Sequence, residues 1–149
     1  MASLLLLTYA APTIELAKGE VLITQGGRGK DLYVLDTGRL AVERDGVKIA
    51  TIDEFDSVIG EMALLLGKPH SATVRAETDS KVRVVRDALL VLERHPLITL
   101  RLATLLCQRL DSTSALLADL SHEASDKPSE QGLLSRIISV LAAAPPLKS

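Results

Sequence analysis

Residues 59–74 read IGEMALLLGKPHSATV, and this stretch decides more about the fold than any other part of the chain. An apolar residue followed by Gly60 and Glu61 predicts the end of a strand and a tight turn. The next apolar run predicts one short helix, and Pro69 predicts a turn into a new strand. A strand end, a glycine turn and a helix start can bring backbone N–H groups and polar side chains to one small anion.

The polar and small positions of this stretch suit a sugar phosphate. Gly60 has no Cβ atom, so a ligand can approach its backbone closely. The Glu61 carboxylate can accept hydrogen bonds from sugar hydroxyls, and the helix from Met62 begins with N–H groups that lack intrahelical acceptors. Ser71 adds a hydroxyl, and His70 donates one hydrogen bond when neutral and two when charged. The alternative is that these are ordinary turn and solvated loop residues, because short motifs often match by chance.

The flanking sequence predicts a mainly β structure. Short runs of strand-forming residues, separated by turn residues, extend from Pro12 to about Arg86. Residues 32–35 are all apolar and predict a strand buried on both faces, and Asp45-Gly46 is a strong hairpin signal. Many short strands at close spacing favour a barrel or a sandwich over a parallel sheet.

Two helices are predicted after the strands. Asp87 is a good N-cap for a helix over residues 88–94, and Pro96 suits the first turn of a longer helix that ends near residue 120. The longer helix carries an apolar stripe of Leu106, Leu110, Thr113, Leu117 and Leu120. Either the stripe packs onto the chain's own strands, or it forms a seam between two copies. Residues 121–132 predict a linker, and residues 133–144 predict a last amphipathic helix.

Size and composition are typical of one globular domain. The chain has 149 residues, of which 47% are hydrophobic and 2% aromatic, so its core is expected to be aliphatic. A net charge of −2 gives no basic face for nucleic acid. No basic leader is evident, and no apolar run approaches the roughly 18 residues of a membrane helix. We therefore expect a cytoplasmic protein that binds neither nucleic acid nor membrane.

The sequence shows no constellation typical of catalysis. It has three histidines, His70, His95 and His122, and they stand at unrelated spacings. We find no nucleophile paired with a base and no cluster with metal-ligand spacing. The expectation is a protein that is not an enzyme and that carries no cofactor and no metal.

Residues 59–74 resemble the phosphate-binding cassette of the cyclic nucleotide-binding domain family, which includes the catabolite activator protein and protein kinase A regulatory subunits. The family pattern is apolar, Gly, Glu, any residue, small and apolar, and later Arg, a small polar residue and Ala. Here residues 59–64 fill the first part, and His70, Ser71 and Ala72 stand at the second. A second family signature is met upstream by Leu22, Ile23, Gly26, Gly29, residues 32–35 and Gly38.

The resemblance covers roughly residues 13 to 120 and implies a mainly β fold with C-terminal α-helices. The expected architecture is an eight-stranded antiparallel β-roll of the jelly-roll kind, with an embedded cassette helix and two lid helices. It places the β-roll at about residues 13–86 and the lid helices at about 87–120. The domain would then span residues 1–122, and residues 123–149 would form a linker and a short amphipathic helical tail.

The resemblance also implies a function. The chain is expected to be a stand-alone regulatory module that binds a cyclic nucleotide, either cAMP or cGMP with cAMP favoured. Its C-terminal helices would transmit binding to an unidentified protein partner, and the helix over residues 97–120 is a candidate seam for a homodimer. The implied ligand-binding residues are Gly60, Glu61, Met62, Ala63, His70, Ser71, Ala72 and Thr73. Within this set, Gly60 and Glu61 would face the ribose and phosphate, Ala63 would act through its backbone, Ser71 would face the phosphate, and Thr73 would lie near the base.

His70 departs from the family pattern, because the family carries an arginine there that neutralises the cyclic phosphate. Arginine offers a permanent charge and two parallel donors, whereas histidine is mostly neutral near pH 7 and offers one donor. Two interpretations stay open. In the first, bound phosphate favours the protonated imidazole, or Lys68 compensates. In the second, the chain is a β-roll scaffold that has lost nucleotide binding.

Overall fold

A computed structural model describes residues 2–123, 132–133 and 135–139 of the chain. Within these residues it forms eight strands, and every pair of neighbouring strands is antiparallel. The strands are β1 Thr13–Leu16, β2 Val21–Ile23, β3 Leu32–Thr37, β4 Leu40–Arg44, β5 Val47–Ile52, β6 Val58–Ile59, β7 Thr73–Ala76 and β8 Ser80–Val85. They make two four-stranded sheets, ordered β1-β8-β3-β6 and β2-β7-β4-β5. This confirms the predicted eight-stranded β-roll.

The core between the sheets is aliphatic, as the composition predicts. The most deeply buried side chains are Leu35, Leu40, Val34, Val58 and Val82. Two of them lie on β3, which pairs with both β6 and β8 and is therefore shielded on either edge. The predicted burial of residues 32–35 on both faces agrees with this central position, although Tyr33 is only partly buried.

Residues 2–123 contain four helices: α1 Leu4–Leu7, α2 Glu61–Leu66, α3 Ala88–Arg94 and α4 Pro96–Glu123. The bounds of α3 are those predicted. Asp87 lies at its N-cap position, but the prediction of a side-chain cap is wrong, because Asp87 has a left-handed backbone (φ 46) and makes no capping hydrogen bond. Its N–H donates to Asp31 Oδ1 (3.0 Å), and the Ala88 N–H donates to the Lys30 carbonyl (2.8 Å). The loop between β2 and β3 therefore holds the start of α3.

Two elements near the N-terminus are not singled out by the sequence pattern. The helix α1 is a run of four leucines with no periodicity, and two of them, Leu4 and Leu5, are buried. The strand β1 gains its backbone partners from β8, near the other end of the β-roll. Asp56, in the loop before β6, accepts a hydrogen bond from the Leu5 N–H at 2.8 Å and so ties α1 to that loop.

The chain divides into two units, Met1–Leu102 and Ala103–Ser149. The first unit holds both sheets, α1 to α3 and the beginning of α4. The second unit holds the rest of α4 and helical residues at 132–133 and 135–139. Because α4 continues to Glu123, the predicted start of the linker at residue 121 is wrong. Residues 124–131, 134 and 140–149, which were predicted as linker or tail, lie outside the described residues.

The described helices include none that is both long and apolar enough to cross a membrane. Several leucines of α4 are exposed, including Leu110 and Leu120 of the predicted stripe.

Candidate functional site

Gly60 connects the buried strand β6 to the cassette helix α2, and a residue with a side chain would be strained at this position. Its backbone is left-handed (φ 90), and a Cβ atom there would lie 3.4 Å from both the Asp31 carbonyl oxygen and Ile23 Cδ1. The missing side chain therefore serves both the turn and the close packing around it. The Gly60 carbonyl accepts the Leu64 N–H at 3.3 Å and so begins the helix.

Glu61 is the first residue of α2 and is 5% exposed. A buried carboxylate is costly unless its oxygens are satisfied, and Glu61 is engaged within the protein. A carboxylate can accept several hydrogen bonds at once, so this group still has the chemistry to receive ligand hydroxyls. The next two predicted ligand-binding residues are less buried than Glu61: Met62 is exposed and Ala63 is half-buried.

His70 is held by the loop between β2 and β3, which will be called the glycine loop (residues 26–31). The Gly26 N–H donates to the His70 carbonyl at 2.8 Å, and the His70 N–H donates to the Gly27 carbonyl at 2.9 Å. A Cβ atom at Gly29 would lie 3.2 Å from His70 Nε2, and one at Gly60 would lie 3.8 Å from His70 Cε1. The imidazole therefore lies against two glycines, one from the glycine loop and one from the cassette.

Partial burial lowers the pKa of His70 below its ordinary value of 6.5. The direction follows from desolvation, which disfavours the charged form of an imidazole. The side chain at the position of the family's arginine is therefore neutral near pH 7 in the free protein and supplies no fixed positive charge.

The remaining predicted residues follow His70 directly. Ser71 is exposed, and the described part of the chain gives its hydroxyl no hydrogen-bond partner. Ala72 is half-buried, and Thr73 begins β7. Thr73 Oγ1 accepts the Gln25 N–H at 3.0 Å, so its hydroxyl also helps to fix the start of the glycine loop. The structure thus brings Gly60 and His70 together, with Ser71 next in the chain.

The sequence did not predict a cavity of about 580 Å³ beside the cassette. Ala63 lines this cavity. The other seven predicted ligand-binding residues, all of which the structure describes, do not line it. The other walls come from Arg28, Gly29 and Lys30 of the glycine loop, from Lys68, and from the start of α3. The available signal was the pair of basic residues flanking Gly29, but a loop sequence alone does not show which surface it faces. The described residues contain no group of three or more histidine, cysteine or acidic side chains that could hold a metal ion.

Comparisons with known proteins bear on the family and the fold of this chain. The sequence model of the cyclic nucleotide-binding domain family matches residues 13–91. The catabolite activator protein of Thermus thermophilus is 28% identical, with a TM-score of 0.63 over 78% of this chain and 57% of that protein. The N-terminal domain of a transcriptional regulator from Streptomyces coelicolor A3(2) is 27% identical, with a TM-score of 0.55 over 74% of this chain and 81% of that one.

The fold is also that of cAMP-bound PfPKA-R, which is 24% identical, with a TM-score of 0.56 over 74% of this chain and 37% of that one. This chain therefore spans little more than half the length of the Thermus protein and a smaller share of PfPKA-R.

Proposed function

The chain belongs to the cyclic nucleotide-binding domain family, and from that membership we propose that it is a regulatory module that binds cAMP. The observation that carries the proposal is the contact of the His70 imidazole with both Gly60 and Gly29. This contact joins the glycine loop to the cassette at Gly60, the residue before the buried Glu61. It supports the proposal because residues of both family signatures meet there, although the side chain at position 70 differs.

Within this proposal each cassette residue has a role. The Glu61 carboxylate accepts hydrogen bonds from the ribose hydroxyls, and the Ser71 hydroxyl donates to the cyclic phosphate. Met62 and Ala63 contribute through their backbone, and Ala72 leads into β7, where Thr73 stands near the base. The module acts by binding and not by catalysis, and it needs no cofactor for this role.

The proposed output is a shift in the arrangement of the C-terminal helices, which an unidentified protein partner detects. The glycine loop supports this route, because it contacts His70 and also holds the start of α3 through Asp31 and Lys30. A ligand that binds one arrangement of α3 and α4 more tightly would shift the population toward it. Exposed leucines on α4 also support a homodimer through residues 97–120. Sedimentation equilibrium tests this, because the protein would sediment as a monomer if these residues form no dimer interface.

Calorimetric titration at neutral pH tests the proposed ligand. We expect saturable heat with cAMP, weaker heat with cGMP, and a rise in thermal stability that grows with the concentration of cAMP. Glu61→Gln keeps the size of the side chain and removes its charge, so it should weaken cAMP binding without changing the fold. If millimolar cAMP and cGMP give neither heat nor a thermal shift, the proposal fails and the ligand-free scaffold becomes the better account.

His70→Arg is expected to tighten cAMP binding about tenfold at pH 7.5. Charge-assisted hydrogen bonds are roughly twice as strong as neutral ones, and about 1.4 kcal/mol corresponds to tenfold in affinity. The matched variant His70→Gln has a neutral donor of similar reach and should bind no more tightly than the parent. Equal affinities for the arginine and glutamine variants would show that position 70 does not face the phosphate.

The pH dependence of binding has a defined direction. A bound phosphate favours the protonated imidazole, so the affinity of the parent protein should rise as the pH falls. This rise should begin at the pKa of the phosphate-bound imidazole, which the phosphate raises, and should end at the pKa of the free imidazole, which burial lowers below 6.5. The His70→Arg variant should stay flat throughout. A parent profile that is flat down to pH 5 would contradict protonation of His70 by the ligand.

A further inference from the structure

The cavity beside the cassette has the size of a small-molecule site. Its volume of about 580 Å³ lies within the range of roughly 300–1,000 Å³ usual for ligand pockets. The glycine loop forms one wall, the end of α2 with Lys68 forms another, and the start of α3 forms the third. Leu89 and Leu90 of α3 line it as well and give it an apolar side.

The charged residues of the lining are mostly basic. Arg28, Lys30 and Lys68 are exposed cations, and Asp87 is the acid among the described lining residues. In the described part of the chain none of the three cations forms a salt bridge, whereas Lys48 and Lys81 of the β-roll each pair with a glutamate. Three positive charges and one negative charge leave a net charge of +2 around one cavity. Such an arrangement attracts an anion from solvent.

The cavity adjoins the cassette, because Ala63, Leu64, Gly67 and Lys68 of residues 59–74 line it. Gly29 of the glycine loop also lines the cavity and lies against the His70 imidazole. His70 supplies no fixed charge near pH 7, whereas Arg28, Lys30 and Lys68 bring positive charge to the cavity wall.

We propose that Arg28, Lys30 and Lys68 form a phosphate-binding site in this cavity, beside Gly29, which also lies against the His70 imidazole. The site would hold an anionic group that a neutral residue at position 70 cannot neutralise. That this group is the phosphate of a cyclic nucleotide rests on the proposed function, whereas the phosphate site itself does not. Leu89 and Leu90 would contact the organic part of the ligand.

Titration of the full chain with inorganic pyrophosphate tests the site directly. Amide chemical shifts are followed by NMR at pH 8 and low salt, where His70 is neutral. We expect saturable changes at Gly29, Ala63 and Lys68. Arg28→Gln and Lys68→Gln should each weaken pyrophosphate binding about fivefold, the size expected for one solvated charge at contact distance. Added salt should weaken it further.

Two further variants separate a specific site from general charge attraction. Asp87→Asn removes the acid of the lining and should tighten pyrophosphate binding severalfold; asparagine tolerates the left-handed backbone at this position. Lys18→Gln is the matched control, because Lys18 is an exposed lysine of the β1–β2 turn that does not line the cavity. The pyrophosphate affinity of Lys18→Gln should equal that of the parent protein.

The proposal is overturned if millimolar pyrophosphate causes no saturable shift at these amides. It is also overturned if Lys18→Gln weakens binding as much as Arg28→Gln, since the attraction would then be non-specific. Calorimetry with cAMP separates the two proposals. Pyrophosphate binding without cAMP binding supports the phosphate site and contradicts the proposed function. Binding of cAMP that is unchanged in Arg28→Gln and Lys68→Gln contradicts the assignment of the cyclic phosphate to this site and leaves the proposed function standing.

Discussion

Gly38→Ala is expected to lower the free energy of unfolding by about 3 kcal/mol, from left-handed strain and overpacking combined. Gly38 has φ 100, a conformation that L-residues rarely adopt, and it lies in the turn between β3 and β4. A Cβ atom there would lie 2.6 Å from both Cα and Cβ of Ser80. Because the neighbour is backbone, a side-chain rotation cannot relieve the clash.

Ser80 cannot move cheaply. It is buried, it begins β8, and its hydroxyl donates to the Thr78 carbonyl at 2.7 Å and accepts the Arg39 N–H at 3.2 Å. The strand β8 lies between β1 and β3, so a shift at its first residue disturbs two ladders. Alanine at position 38 should therefore damage the β-roll and not merely its surface turn.

Urea denaturation with a constant m-value, supported by a thermal melt, measures this effect. For a chain of this size about 3 kcal/mol corresponds to a fall in Tm of roughly 10 °C. Gly46→Ala is the matched control, since Gly46 is also left-handed (φ 78) but has no atom within 4 Å of the added Cβ. Gly46→Ala should lower the free energy of unfolding by only about 1 kcal/mol, which is the cost of a left-handed backbone at alanine. Equal losses in the two variants would mean that the contact with Ser80 is not the cause.

Asp56→Ala is expected to lower the free energy of unfolding by about 2–3 kcal/mol. This is less than the 3–5 kcal/mol typical of removing one partner of a fully buried salt bridge. The Asp56 carboxylate is 5% exposed, accepts the Leu5 N–H at 2.8 Å and receives Arg101 Nη2 at 3.3 Å. Alanine would leave Leu5 without its acceptor and Arg101 without its counter-charge. Arg101 Nε is already buried without a partner in the described part of the chain. The Arg101 side chain is 20% exposed, which is why the fully buried value is reduced.

Two comparisons make the Asp56 prediction specific. Asp56→Asn keeps an oxygen for the Leu5 N–H and a residue that tolerates the left-handed backbone (φ 71), so it should lose about half as much stability. Glu15→Ala removes an exposed ion pair with Lys81 and should change stability by less than about 1 kcal/mol. Denaturant titration of the three variants checks the order. If Asp56→Ala is as mild as Glu15→Ala, the buried carboxylate does not hold α1 and α4 to the loop.

The loss of the Asp56 contacts should also affect the cassette. Asp56 lies in the loop before β6, and β6 delivers Gly60. A looser loop at position 56 would therefore also loosen the backbone against which the His70 imidazole lies.

The sequence predicted well wherever a few neighbouring residues control the backbone. Asp45-Gly46 predicted the β4–β5 hairpin, and both residues have the positive φ that such a turn needs. Gly60 likewise has the left-handed backbone expected of a glycine turn before a short helix. The limits of α3 were also correct, because a strand end, a polar residue and an apolar run are all local signals.

The sequence failed where long-range contacts take over. Asp87 has the right side chain for an N-cap, yet its backbone is held by Asp31 and its conformation is left-handed, so the cap does not form. The strand β1 depends on β8 for its partners. The helix α1 depends on Asp56, which accepts the Leu5 N–H and lies far from it in the chain.

By itself, the sequence determined a mainly β structure of short strands and the Gly60-Glu61 turn into α2, because apolar patterning and glycine placement act over short stretches of chain. The eight-stranded β-roll was implied by the resemblance to the cyclic nucleotide-binding domain family, and the same resemblance marked His70 as the departure from its arginine. The tertiary structure alone decided what surrounds His70: Gly29 against its imidazole, burial that lowers its pKa, and a cavity with Arg28, Lys30 and Lys68 beside it. The electrostatics of a site depend on which distant segments meet there, and in residues 59–74 only Lys68 of these three cations is present.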